Sequence, residues 1–389
     1  MVIMVAIALG LTGGNFLSAA YMGLMNQTIE ESIEKQLSHI QIHHPDFVAD
    51  REVRHRIPQG SRIARELRDN EAILSVAERT SLDGMVASPH LTAGVRINGV
   101  NPDQERATTR FDEQIEEGSY FGEEGRLPEI VIGKELAGEL QSEPGSRIVL
   151  TFQDIHGELI HASFRVTGIF RATATAYEKG VVFVQASDLN ELTGNTETVN
   201  EIALLLKDEG RLKPISESLR NEYPDLKVRT WKELAPDLEF VADITEQSLL
   251  MIMAIILLGV AFGILNTILM SVLERTRELG MLMSIGMKRA RVFFMVILET
   301  LLLSLTGGVA GLAASFVLIS LLHQRGIDLT VIGGEALRDF GFSPLIYPEL
   351  DAMFYLKVTA LVVAFAILAA IYPARKATRL EPANAVRHE

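Results

Sequence analysis

Four stretches of the chain carry almost no charge for roughly 20 residues or more, the length that crosses a hydrocarbon core of about 30 Å. They are Val2 to Met25, Leu249 to Leu273, Val292 to Leu322 and Met353 to Ile371. From Asn26 to Gln247 charges occur throughout, as in an ordinary folded domain. The pattern predicts span one at 1–25, an inserted domain at 26–247 and span two at 248–272. A short connecting helix at 273–291, span three at 292–322, a loop at 323–350, span four at 351–371 and a tail at 372–389 complete the chain. The first span has no charged leader and is longer than a signal core, so it is read as a retained span.

The inserted domain mixes helix and strand patterns. Ile29, Ile33, Leu37 and Ile40 recur at helical spacing among acidic residues, which predicts a stalk continuing span one. Leu234, Leu238, Val241 and Ile244 do the same within Trp231 to Gln247, leading into span two. Between the stalks, strands are expected at His39–His43, Val95–Val100, Ile148–Phe152, Phe164–Phe170, Val181–Val184, Ile202–Leu206 and Leu226–Thr230. Helices are expected at Ser61–Asn70, Asp188–Leu192 and near Leu212–Glu222. The fold class is an α-helical membrane protein with four transmembrane helices and an inserted extracytoplasmic α+β domain of two lobes. The smaller, β-rich lobe, about Thr108 to Thr198, is inserted in the other.

Charge asymmetry orients the spans. Arg275, Arg277, Lys288, Arg289 and Arg291 crowd the segment between spans two and three, and Arg375, Lys376, Arg379 and Arg387 the tail. The loop after span three carries more acid than base. By the positive-inside rule the basic segments and both termini are cytoplasmic, and the large domain faces outward. The net charge of −14 argues against nucleic acid as a partner. With no cysteine, disulfides and thiolate-bound metals are excluded.

The most specific segment lies between spans two and three. Glu274, Arg275, Arg277 and Glu278 charge its start, Leu279, Met281, Leu282 and Ile285 give it an apolar face, and Gly280 and Gly286 permit a turn or close approach. Such an amphipathic helix either docks into a groove on a cytosolic protein or lies on anionic lipid. Glu299 falls about 12 Å beyond Arg291 along a helix, inside the hydrocarbon, with Asn266 of span two as a hydrogen-bond partner; a helix-packing contact is expected, and a proton or substrate relay is the alternative. Gly259 with Gly263, and Gly307 with Gly311, form G-x-x-x-G pairs that allow close helix contact in lipid. For span two a dimer interface and internal packing stay open, and internal packing is expected for span three. His39, His43 and His44 lack the fixed acidic or thiolate partners of a metal site, so no metal is expected. No phosphate-binding G-x-x-x-x-G-K-[ST] and no G-x-S-x-G occurs, so the chain offers no catalytic site.

Glu274 to Gly311 (ERTRELG, a following small-apolar-G, Glu299 and the glycines from Gly307) resembles the permease signature of the FtsX-like superfamily. Tyr372–Ala377 and Leu380–Arg387 resemble the same family's C-terminal motif. His39 to Pro45, Gly99 to Pro102 and Val166 to Phe170 resemble the external (periplasmic core) domain of MacB-type and lipoprotein-releasing, Lol-type permeases. The family's usual basic amphipathic helix ahead of span one is not in this sequence, which starts inside the span.

The resemblance implies an inner-membrane, non-catalytic permease of an ABC transporter, working as a dimer with a second copy or paralogue. It implies a cytosolic ATPase dimer that binds ATP and Mg, while this chain holds no cofactor. Glu274, Arg275, Arg277, Glu278, Leu279, Gly280, Ile285 and Gly286 become the coupling helix. The role it implies first is release of lipoproteins from the membrane, with a periplasmic carrier or outer-membrane partner. Export of peptides or drugs, or activation of a cell-wall hydrolase as a scaffold, are its alternatives. Lol-type permeases capture their carrier with an external loop. The matching place here, Leu192 to Val199, is polar with no proline or apolar tip, and is expected to be an ordinary turn.

Overall fold

The computed structural model describes residues 2–48, 50–122, 127–172, 174–194, 199–339 and 342–378. Arg379, the Leu380–Arg387 motif and residues 195–198 of the expected turn lie outside them. Helix α1 (Val2–Ser32) passes through a π-helical turn (Ile33–Leu37) into strand β1 (Ile40–His43). Helix α2 (Gly60–Arg68) leads to a long hairpin, β2 (Ile73–Ala87) and β3 (Thr92–Val100). The chain then makes an excursion through α3 (Pro102–Thr109), β4 (Ile115–Gly118), β5 (Glu129–Gly133) and α4 (Lys134–Leu140). It continues through β6 (Arg147–Gln153), β7 (Leu159–Phe170) and α5 (Thr175–Gly180). It returns through β8 (Val181–Gln185), α6 (Ala186–Leu192), β9 (Glu201–Leu206), α7 (Leu212–Glu222), β10 (Lys227–Thr230) and α8 (Trp231–Leu234). Helices α9 (Pro236–Glu274), α10 (Thr276–Ser284) and α11 (Arg289–Arg325) follow. The two-residue strands β11 (Ile327–Asp328) and β12 (Leu345–Ile346) flank α12 (Thr330–Asp339), and α13 (Ala352–Thr378) closes the described chain.

Two units result. One comprises Met1–Gln27, Val241–Val331 and Leu345–Glu389, the other Thr28–Phe240 and Ile332–Pro344. The boundaries fall inside α1 and α9, and part of the loop expected at 323–350 belongs to the α/β unit.

In the helical unit α1, α9, α11 and α13 are long and apolar enough to cross a membrane. Lipid gives no hydrophobic drive for helix association, so small residues and interhelical hydrogen bonds do the packing. Gly10 and Gly14 of α1 lie against Val260 and Met253 of α9, a third G-x-x-x-G pair beside the two expected from the pattern. Asn15 Nδ2 donates to Ser315 Oγ at 3.1 Å, joining α1 to α11 in the interior. Helix α13 runs through Pro373 to Thr378, so it extends past the expected end of span four into the tail expected at 372–389. Pro373 and Ala374 are buried, and a proline is tolerated in a spanning helix where neighbours satisfy the freed carbonyl.

The α/β unit is built on one ten-stranded sheet of order β10-β1-β9-β2-β3-β8-β5-β7-β4, with β6 pairing β2 and β7. The two expected lobes are halves of this sheet, not separate bodies. Strand β2 serves both: Ile73 to Arg79 pairs with β9, and Arg79 to Ala87 with β3. The excursion returns so that β8 lies parallel to β3. Each half has its own core, one around Ile40, Ile42, Leu67 and Trp231, the other around Ile97, Ile130 and Phe164. The stalk expected as one helix over Trp231–Gln247 is interrupted. A Thr230–Glu233 capping box starts α8, which ends at Ala235 in a non-helical conformation. A residue preceding proline disfavours the α region, and Pro236 then begins α9.

Candidate coupling site

The segment between α9 and α11 folds as a shorter helix than its sequence suggests, Thr276–Ser284 instead of 273–291. Its end is a Schellman motif. The Gly286 N–H donates to the Met283 carbonyl and the Met287 N–H to the Leu282 carbonyl, both at 3.1 Å. Gly286 has φ +101°, a conformation that side chains with a Cβ rarely adopt. The chain then turns into α11, whose N-cap Lys288 and first-turn Arg289 and Arg291 are all exposed. Cations oppose the dipole at a helix N-terminus, so helix stability does not account for their placement.

The apolar face expected along α10 is split. Leu279, 3% exposed, and Gly280 point into the bundle, where Leu279 joins the core of Val272, Val292 and Val296. Both belong to the coupling set that the resemblance implies, and their burial makes them anchors of the helix rather than surface contacts. Ile285 stands out at 85% exposure, with Met281 exposed beside it. Glu274, Arg277 and Glu278 are exposed too. An anchored helix thus presents an apolar knob among charges at a tight turn.

Arg275 sits at the break between α9 and α10. Its Nε donates to Glu278 Oε2 at 2.9 Å, and its Nη1 to Glu299 Oε1 at 3.2 Å and Oε2 at 3.4 Å. Glu299 therefore has an arginine partner, not Asn266: it lies in the third turn of α11, within reach of the α9–α10 corner, while Asn266 is exposed on α9. Arg275, Glu299, Leu279 and Thr300 line a small cavity of about 40 Å³.

The glycine pairs separate. A Cβ on Gly307 would meet the Met4 carbonyl oxygen at 2.8 Å, and one on Gly311 the Ala8 Cα at 2.9 Å, so this pair seats α11 on α1. Gly259 and Gly263 are exposed, and among the described residues nothing lies within 4 Å of a Cβ built there.

In the α/β unit the histidines take different roles. His39 Nδ1 accepts from the Leu206 N–H at 3.1 Å. His43 Nε2 lies 3.3 Å from Glu201, and His44 comes together with Asp46 and His55, ligand atoms within 4.8 Å of one another. Sequence reasoning missed the network beside His43. Arg79, its side chain 5% exposed, donates Nε and Nη2 to Glu105 at 3.0 and 2.7 Å, and Nη1 to Glu201 at 2.8 Å. Asn101 caps α3 through its side chain and fixes Glu105 in the first turn. Burial pushes the Glu201 carboxyl up, but the hydrogen bond from His43 and the charge of Arg79 together outweigh it and hold it well below the usual carboxylate range.

Comparison with known proteins matches the FtsX-like permease C-terminal family over residues 250–382 and the MacB-like periplasmic core domain over residues 1–222. The macrolide export ATP-binding/permease protein MacB of Bdellovibrio bacteriovorus is 26% identical over 343 residues, 82% of this chain. The chain spans about half of that relative, 47% of its length. The lipoprotein-releasing system transmembrane protein LolE of Haemophilus influenzae is 23% identical over 338 residues, 83% of this chain and 79% of the relative. Among solved structures, the periplasmic region of MacB from Actinobacillus actinomycetemcomitans aligns with 55% of this chain and 98% of its own, at 14% identity and a TM-score of 0.38.

Proposed function

Because the chain belongs to the FtsX-like permeases that carry a MacB-like periplasmic core domain, we propose that it is the membrane subunit of an ABC transporter and that α10 couples it to a cytosolic ATPase. The observation that carries this is the pairing of a buried anchor, Leu279, with a knob, Ile285, exposed at 85%. An isolated isoleucine held at a glycine turn and flanked by Arg277 and Glu278 suits a partner's groove, with specificity from the charges. Closure of the ATPase pushes α10, and Leu279 with the Arg275–Glu299 pair passes that push to α9 and α11. Helix α9, 39 residues, is a rod of roughly 60 Å at helical rise, long enough to carry motion to the α/β domain outside the membrane. The chain works as a dimer in an inner membrane, with both termini cytoplasmic. ATP and Mg stay in the ATPase.

The work we assign to this motion is release of lipoproteins. The match to LolE covers 79% of that relative, against 47% of MacB. Export in the manner of MacB is the second reading, favoured by its identity of 26% over 343 residues. The coupling reading is tested by co-expressing Ile285→Asp with the ATPase. Loss of co-purification and of ATP turnover, with membrane insertion intact, is expected, and unchanged turnover overturns it. Mass spectrometry of the purified complex tests the choice of substrate. Acylated protein is expected, and its consistent absence favours export.

A further inference from the structure

The α/β unit contains a polar cavity of about 370 Å³ that coupling does not use. Four arginines line it: Arg79 of β2, Arg96 of β3, Arg229 of β10 and Arg51 from the segment between β1 and α2. Against them stands one lining carboxylate, Glu201 of β9. This excess of positive charge is gathered in a chain whose net charge is −14.

The carboxylate is already engaged. Glu201 pairs with Arg79 and with His43, and Glu105 holds the rest of the Arg79 guanidinium. The other three guanidiniums have no comparable counter-charge. Arg229 donates to the neutral carbonyl of Glu233. The acid nearest Arg96 is the exposed Asp83 at 3.9 Å, and the buried Arg96 Nε has no hydrogen-bond partner among the described residues. Among the same residues Arg51 makes neither a hydrogen bond nor an ion pair. Burial first, and then the charge of Arg96, push the Arg51 guanidinium down, with Asp83 and Glu201 only partly offsetting them. His43 lines the same cavity, and its Nδ1 is likewise buried without a hydrogen-bond partner among the described residues.

Guanidinium groups do not give up their protons at working pH, so such a cluster is relieved by an anion, not by titration. A single carboxylate offers two oxygens and one charge. A phosphate group offers three or four oxygens and close to two charges, and arginine forks match its geometry in pairs. We propose that this basin binds a phosphate dianion, free or as the terminal phosphomonoester of a glycerophosphate group, with Arg51, Arg96 and Arg229 as its donors. The site is separate from α10, which belongs to the other unit, so the outcome here leaves the coupling reading untouched.

The test is calorimetric titration of the full-length chain in phosphate-free detergent with inorganic phosphate and, separately, with glycerol 3-phosphate. Binding of either that weakens by about tenfold or more in Arg51→Glu, and also in Arg229→Gln, supports the proposal. Tighter binding of inorganic phosphate identifies free phosphate as the source, and tighter binding of glycerol 3-phosphate a glycerol phosphomonoester. Failure of both to bind, or equal affinity in both variants and the parent, overturns it. Thermal melting of each variant confirms that the α/β unit is folded, and Arg229→Gln decides the matter if Arg51→Glu does not fold.

Discussion

The Arg275 Nη1 lies 3.2 Å from Glu299 Oε1, while its Nε lies 2.9 Å from Glu278 Oε2, so one guanidinium ties the end of α9 to both α10 and α11. Both side chains of the longer pair are close to half exposed, 45% and 49%. Such a pair contributes at most about 1 kcal/mol to stability in water. Its value is geometric, since it fixes the corner through which a push on α10 must travel. Arg275→Ala and Glu299→Gln are each expected to lower ATP turnover of the assembled complex about tenfold while melting within a few degrees of the parent. The reversal Arg275→Glu with Glu299→Arg should restore part of the loss. Turnover that ignores both single substitutions removes the tie from the mechanism.

Gly286 makes the turn that holds Ile285 outward. At φ +101° an alanine is strained by about 1–2 kcal/mol, and no neighbouring side chain offsets this, because among the described residues nothing lies within 4 Å of a Cβ there. Gly286→Ala should fray the end of α10. Hydrogen exchange at the Met287 amide, which donates to the Leu282 carbonyl, is expected to speed up, and ATPase binding to weaken with it. Unaltered protection at Met287 contradicts the strain argument.

The four spans were legible because a run of about 20 uncharged residues has few other uses. Strand β2 was not. Its sequence is broken by Glu78, Arg79 and Asp83, and Arg79 occupies a buried position where alternation calls for an apolar side chain. Only the fold supplies the acids that make this burial tolerable, and they come from α3 and β9, far away in sequence. The coupling segment was legible as a unit but not as a surface. Leu279, Leu282 and Ile285 follow one another at helical spacing, and nothing in that spacing says that the first is buried and the last exposed. Helical rise puts Glu299 inside the hydrocarbon, where the sequence offers Asn266 as a polar partner, whereas the corner at Arg275 brings a cation back to it.

Arg79 shows what the buried network is worth. Replacing one member of a buried ion pair leaves uncompensated charge, at a cost of about 3–5 kcal/mol. Arg79→Leu strands both Glu105 and Glu201 and is expected to destabilise the α/β unit by that amount. Trp231, the only tryptophan and buried in the core of the same unit, reports its unfolding. The acid dependence follows from Glu201, whose folded pKa lies below its unfolded value near 4.3. Its contribution is fully present above that value and is lost as pH falls below it toward the folded pKa. Glu201→Gln should therefore be less stable than the parent at pH 7 and lose less on acidification below about pH 4. A denaturant midpoint read from Trp231 at both pH values checks the sign.

The two glycine pairs named from sequence differ in what surrounds them, one seated on another helix of the chain and the other exposed. At Gly311 an added side chain meets the Ala8 backbone, and at Gly307 that of Met4, so Gly311→Leu is expected to break the α1–α11 contact and lower the melting temperature of the chain in detergent. At Gly263 the same change meets nothing of this chain among the described residues. The exposed face of α9 that carries Gly259, Phe262, Gly263 and Asn266 is then free for a second copy, where small residues let backbones approach closely. Because the natural sequence has no cysteine, Asn266→Cys introduces a single thiol on that face. Oxidation in native membranes is expected to yield a dimer, and Gly263→Leu in the same background to suppress it while leaving the melting temperature unchanged. A crosslink indifferent to Gly263→Leu places the dimer contact on another helix and leaves this face to lipid.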